Sequence, residues 1–138
     1  MALKRFQCDI EFSRCIRESA DWTCERCGTV HEENSKALHC AHFKSRGNWG
    51  TRFNPSNVAA LCYGCHSYID RDSGYKEKWF RKYLGEGLAD LMVEQAAQPA
   101  YGIKKQKKEI AKHYREELKR LKQLRLDGVT GKIEIVGY

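Results

Sequence analysis

Two Cys-x-x-Cys pairs, Cys24-Glu25-Arg26-Cys27 and Cys62-Tyr63-Gly64-Cys65, constrain this chain more than any other feature. Four thiolates at such spacing can close a tetrahedral zinc site, and four sulfur ligands leave no open position for water. The expected zinc is therefore structural. Gly28, directly after the first pair, and Gly64, inside the second, suit the tight turns that such ligands need. Use of His31, His39 or Cys40 in place of one cysteine is the lesser alternative.

Thirty-four residues separate Cys27 from Cys62, more than in a compact zinc ribbon. The ion should therefore join two distant elements, an early knuckle and a later helix start, which is the layout of a treble clef. In a head of about 80 residues it would supply folding energy that a small core lacks. The chain has 138 residues, enough for one small domain with helical extensions. No run of eighteen apolar residues occurs, so no membrane span is expected. Met1-Ala2-Leu3-Lys4-Arg5 lacks the apolar region of a signal peptide. These features point to a reducing, cytoplasmic setting, where paired cysteines read as metal ligands more readily than as disulfides. Of the seven cysteines, Cys8, Cys15 and Cys40 would remain ordinary thiols.

The formal net charge is +7, and its position matters. Ten Lys/Arg fall between Tyr101 and Leu126 against three acids, which accounts for the whole excess. A basic arm on a neutral head suits a polyanion, nucleic acid being the usual one, though a solvated lysine-rich helix would read the same way. Lys104, Lys105, Lys108 and Lys112 are the candidate contacts.

The periodicity predicts helices over Asp9–Ala20, with Asp9 as its cap, over Cys62–Asp70, Tyr75–Leu84 and Leu88–Gln98, and over a long amphipathic stretch from Ile103 to Leu124. Ile110, Tyr114, Leu118 and Leu121 form the stripe of that last helix. The stripe must dock on the head or pair with a second copy, so a homodimer through the C-terminal helix is one expectation. Ala37–Phe43 reads as a strand, Lys44–Ser56 as loop, Gly85-Glu86-Gly87 as a break, and Lys132–Val136 as a short terminal strand. Trp49 either covers the core or stacks on a base. The resulting fold class is α+β: a zinc-stapled core over residues 1–84 and a helical basic extension over 85–138.

Between the cysteine pairs lie His39-Cys40-Ala41-His42 and Asn57, and His66 follows Cys65. His42, Asn57 and His66 in that order resemble the HNH, or ββα-metal, endonuclease motif, whose zinc-bound members carry it on two Cys-x-x-Cys pairs. The stretches Ala41-His42-Phe43-Lys44-Ser45-Arg46-Gly47 and Arg52-Phe53-Asn54-Pro55-Ser56-Asn57-Val58 are most similar to phage recombination nucleases of the NinG/Rap type. Phe12-Ser13-Arg14-Cys15-Ile16-Arg17 is similar to that group as well. The resemblance covers roughly residues 9 to 70 and leaves the C-terminal half unsupported.

The resemblance implies a strand bearing His42, a loop bearing Asn57 and a helix bearing His66. It implies His42 as the general base, a chemistry that a neutral imidazole suits. It implies His66 as a ligand of a catalytic Mg²⁺ or Mn²⁺, the Lewis acid of phosphodiester hydrolysis, and Asn57 as a brace for the loop. Arg46 or Arg52 would clamp the phosphate, although Arg52 has a structural reading too. Many HNH enzymes carry a metal ligand just before the base, and Ala41 stands there in this chain. Three remedies are open: His39 or Cys40 reaches in, Asp70 helps from one helical turn after His66, or the cation hangs from few protein ligands, as Mg²⁺ tolerates. The favoured set is His66 with Asp70 as helper. The expected function is a metal-dependent DNA endonuclease of phage recombination or processing, acting on duplex or branched DNA. The alternative is a catalytically inactive, zinc-binding, nucleic-acid-binding module.

Overall fold

The computed structural model describes residues 3–138. It is a mixed α/β structure in which helices surround a single two-stranded antiparallel sheet. Helix α1 spans Gln7–Ser19. It starts two residues before the position expected from Asp9, because Asp9 caps from within the first turn: its Oδ2 accepts the Phe6 N–H at 2.8 Å. Strand β1, Leu38–His42, pairs with β2, Val58–Cys62, with Cys40 opposite Ala60 and His42 opposite Val58. The apolar run Val58-Ala59-Ala60-Leu61 is fully buried, as a strand covered on both faces requires.

Helix α2, Tyr63–Asp70, follows β2 directly, with Cys62 as its N-cap. Helix α3, Ser73–Leu84, is capped by Asp72, whose side chain accepts from the backbone of Gly74 and Tyr75. The expected break narrows to one residue, Gly85 at φ +89°, and α4 runs over Glu86–Ala97. Arg81 bridges that corner to Glu86 and Asp90. A 3-10 turn, Ile103–Gln106, leads into α5, Lys107–Leu126.

The apolar stripe of α5 settles the docking alternative. Ile110, Tyr114 and Leu121 are fully buried, and α5 lies along α1 as the most extensive helix pairing in the fold. Phe12 meets the Tyr114 ring at 4.8 Å, and the Tyr114 hydroxyl donates to the Phe53 carbonyl. Those stripe residues are spent inside the chain, against α1. Residues from both expected regions, Phe12, Leu61, Met92, Ile110 and Ile133, share one core.

The C-terminal tail corrects another expectation. Lys132–Val136 forms no strand. It lies extended over α1 and α5, with the Ile133 N–H on the Ser19 carbonyl and the Val136 N–H on the Glu117 carboxylate. Its partners are helix ends and side chains, so no ladder can form. His113 points its Nε2 at the Val136 carbonyl at 2.7 Å and packs on Tyr138. No helix is long and apolar enough to cross a membrane among the described residues.

Candidate metal centre and the histidine groove

The first cysteine pair sits on a tight turn closed by the Thr23–Val30 bridge. The Cys24 N–H donates to the Thr29 carbonyl and the Gly28 N–H to the Cys24 carbonyl. Gly28 takes φ +78°, a left-handed geometry that glycine adopts without steric cost. The second pair opens α2, where the Cys65 N–H donates to Cys62 Sγ. Glu25 fastens the first turn to the sheet: its N–H donates to the Ala60 carbonyl and its carboxylate accepts the Ala60 N–H at 2.7 Å. The other carboxylate oxygen accepts from the Tyr83 hydroxyl and from Lys132. Sequence reasoning missed this residue, since a glutamate between two cysteines carries no spacing signal of its own.

These anchors bring the four sulfurs of Cys24, Cys27, Cys62 and Cys65 within 4.8 Å of one another. The Cys27 and Cys62 sulfurs lie 3.8 Å apart, the edge of a tetrahedron with metal–sulfur bonds of about 2.3 Å. The donor set and its shape fit a metal ion such as zinc. The Thr29 hydroxyl beside Cys27 Sγ lowers the pKa of that thiol to about 6, whereas burial pushes Cys65 up to about 12 against the opposing hydrogen bond from Arg26. His31, His39 and Cys40 are outside the cluster.

The histidines occupy the sheet beside it. Side chains alternate along a strand, so Cys40 and His42 face α1 while His39 and Ala41 face α2. The His42 ring sits 6.2 Å from Phe12 of α1. The His39 ring sits 5.2 Å from His66 of α2, with their Nδ1 atoms 3.0 Å apart. His66 Nε2 lies 3.2 Å from the Asp70 carboxylate. Of the three remedies for Ala41, His39 is therefore the residue brought to His66; Asp70 stands behind that ring, and Cys40 faces away. Burial also pushes the Cys40 thiol up to about 12.

By the same alternation the rings of His42 and His66 lie on opposite faces of the hairpin, so they do not enclose one point from a single side. What connects them is a groove along α1. A depression of about 20 Å³ at His42 and a larger one of about 600 Å³ at His39 and His66 share Arg5, Ser13 and Cys40 in their walls. Arg14, Arg17 and Lys36 line the larger part and Arg46 the smaller.

His42 Nε2 faces the Arg52 carbonyl at 3.0 Å. A carbonyl only accepts, so Nε2 carries the hydrogen and Nδ1 keeps its lone pair. Burial lowers the pKa of His42 to about 4, and burial lowers that of His66 as well, against the opposing pull of Asp70. Asn57 is fully buried. Its Oδ1 accepts the Lys44 N–H at 2.9 Å, its Nδ2 donates to the Lys44 carbonyl, and its own carbonyl accepts the Phe43 N–H. Three bonds thus tie the loop end to the residues just after His42.

The two arginines have different fates. Arg52 is 2% exposed. Its guanidinium makes two bonds to the Asp9 carboxylate, at 2.9 and 2.8 Å, and two more to the carbonyls of Arg46 and Lys4. Four of its five N–H donors are spent inside the fold and the side chain is buried, so the structural reading of Arg52 is the one the geometry supports. Arg46 is half-buried and makes one bond, to the Leu3 carbonyl. Lys104, Lys105, Lys108 and Lys112 are exposed and without an acidic partner among the described residues.

No protein-family model, no curated protein and no solved structure matches this chain.

Proposed function

We propose that this chain is a zinc-stapled, Mg²⁺- or Mn²⁺-dependent DNA endonuclease, with its four-cysteine cluster in a treble-clef layout and β1, β2 and α2 as a ββα-metal unit. The observation that carries the reading is His42. Its tautomer is fixed by the Arg52 carbonyl. It borders a depression of about 20 Å³, room for one water, whose walls include Arg5 and Arg46 beside Asp9, the last already paired with Arg52.

In this reading Nδ1 of His42 takes the proton from the attacking water. Burial keeps that nitrogen unprotonated at neutral pH. Asn57 holds the backbone beyond His42 in place. Arg46 exchanges its bond to the Leu3 carbonyl for a phosphate oxygen, and Arg5 joins it. His39 and His66 would hold the divalent cation, with Asp70 orienting the His66 ring; a cation there supplies Lewis-acid neutralisation of phosphate charge. Because His42 and His66 face opposite ways, the phosphodiester must lie across the rim of β1, along the groove that both depressions share. Lys104, Lys105, Lys108 and Lys112 would meet the flanking backbone through sequence-independent contacts.

The opposed faces also favour a second reading, a catalytically silent zinc module that binds nucleic acid. One assay separates the two. Supercoiled plasmid and branched DNA are incubated with the protein and Mg²⁺ or Mn²⁺, beside His42→Ala. Nicking or linearisation by wild type and its loss in the variant support the nuclease. Equal inertness of both proteins, with about one zinc per chain, supports the module.

A further inference from the structure

A cleft that shares no wall residue with the histidine groove carries aromatic groups that the proposed hydrolysis does not use, beside Lys104 and Lys105. It has a volume of about 430 Å³ and lies between the loop after β1 and the turn that precedes α5. Asn48, Trp49, Gln98, Tyr101, Lys104 and Lys105 line it. Tyr101 is 93% exposed, a large aromatic side chain with no packing role. Trp49 meets the first of its two alternatives, covering the core. Its indole packs on Phe6 and Phe53 and takes the Arg52 guanidinium at 4.3 Å, which fixes the ring, and the same residue lines the cleft. The Lys104 ammonium stands 5.6 Å from that ring.

A rigid aromatic, a second aromatic free to swing, amide side chains and two lysines without acidic partners match what an unpaired nucleotide offers: a flat π-face, polar edges and a phosphate. A paired base has its face covered by the stack and cannot enter. We propose that this cleft binds single-stranded DNA, with one base stacked on Tyr101 against the Trp49 wall and its phosphates on Lys104 and Lys105. The inference deepens the nucleic-acid reading above by naming a substrate class with an unpaired segment beside the duplex, such as a flap or a branch.

The test is fluorescence anisotropy with a labelled dT12, an abasic oligonucleotide of equal length and a 12-bp duplex, at fixed salt and without divalent cation. Wild type, Tyr101→Ala and the pair Lys104→Gln with Lys105→Gln are compared. The Tyr101 side chain makes no hydrogen bond among the described residues and is 93% exposed, so its variant should keep the zinc content and thermal midpoint of wild type. The expected result is about fivefold or greater weakening of dT12 by Tyr101→Ala, weaker binding of the abasic strand to wild type, and little change for duplex. Equal binding of dT12 and abasic strand, or a Tyr101→Ala variant that binds dT12 like wild type, overturns the proposal even where the lysine variant loses affinity. Plasmid cleavage by wild type is measured separately, so a failed stacking test and a failed nuclease assay remain distinguishable.

Discussion

The Nδ1 atoms of His39 and His66 face each other at 3.0 Å, across the gap between β1 and α2. Two imidazoles in this position either share one hydrogen or turn their lone pairs on a common cation. The Asp70 carboxylate 3.2 Å from Nε2 of His66 favours a hydrogen on that nitrogen, which leaves Nδ1 of His66 as an electron-pair donor.

Under the proposed function, removal of this pair should act through the divalent cation it would hold. His39→Ala and His66→Ala are expected to abolish Mn²⁺ binding at the second site and to remove cleavage. Asp70→Asn is expected to weaken the cation about tenfold, the usual cost of an outer partner. Isothermal titration of zinc-loaded protein with Mn²⁺ checks both. An unchanged Mn²⁺ isotherm in His39→Ala would show that the pair is only a hydrogen bond.

The cysteine cluster should hold one zinc ion per chain, measurable by elemental analysis. Because the cluster joins the knuckle to the start of α2, chelation should remove more than a local contact. The cooperative thermal transition is expected to broaden or vanish under a strong chelator and return on adding zinc. Cys62→Ser should show the broadened transition without recovery on adding zinc, since it removes one sulfur while serine can still cap α2. Retention of a sharp transition in metal-free protein would argue against a structural ion.

Arg52 offers a prediction opposite to the one its sequence context invites. Its buried bidentate pair with Asp9 implies that Arg52→Ala leaves a carboxylate stranded in the core, at a cost of about 3–5 kcal/mol. Arg46→Ala, which loses one exposed bond to a carbonyl, should cost under about 1 kcal/mol. Urea unfolding separates them. DNA affinity should fall in Arg46→Ala while its stability holds, and a stable Arg52→Ala would contradict the assignment.

The pH dependence follows from His42, whose pKa burial lowers from 6.5 to about 4. Between those values the unfolded chain binds a proton that the folded chain does not. Stability is therefore complete above pH 6.5 and falls as the solution is acidified toward pH 4, by on the order of 3 kcal/mol in the limit. His42→Gln should flatten this dependence in urea titrations from pH 7 to 4.5. For cleavage, the base stays unprotonated down to the same low value, so the acid limb of the rate should lie well below pH 6.5. An acid limb at 6.5 would point to a different base.

Helix positions were largely legible from local pattern, because capping and apolar periodicity act within a few residues: Gly85 and the Ile110–Leu121 stripe mark an edge and a face, whereas α3 starts at Ser73, two residues before the expected Tyr75, behind a cap at Asp72 that the sequence reading did not use. The cysteine framework was legible because two matched pairs have few other uses. The fate of Arg52 was not, since Asp9 lies 43 positions away and nothing in either neighbourhood names the other. The C-terminal segment misled for a related reason. Its alternation resembles a strand, but a strand needs an edge to pair with, and the groove over α1 and α5 offers only helix ends and side chains.

By itself the sequence determined the four-sulfur cluster, the order of helices and the charge of the arm, all properties of spacing and composition along the chain. Tertiary structure alone decided that His39 meets His66, that His42 looks the other way, and that α5 spends its apolar face on α1. These depend on which faces of separate elements are pressed together, and strand alternation and helix packing set that only once the core has closed.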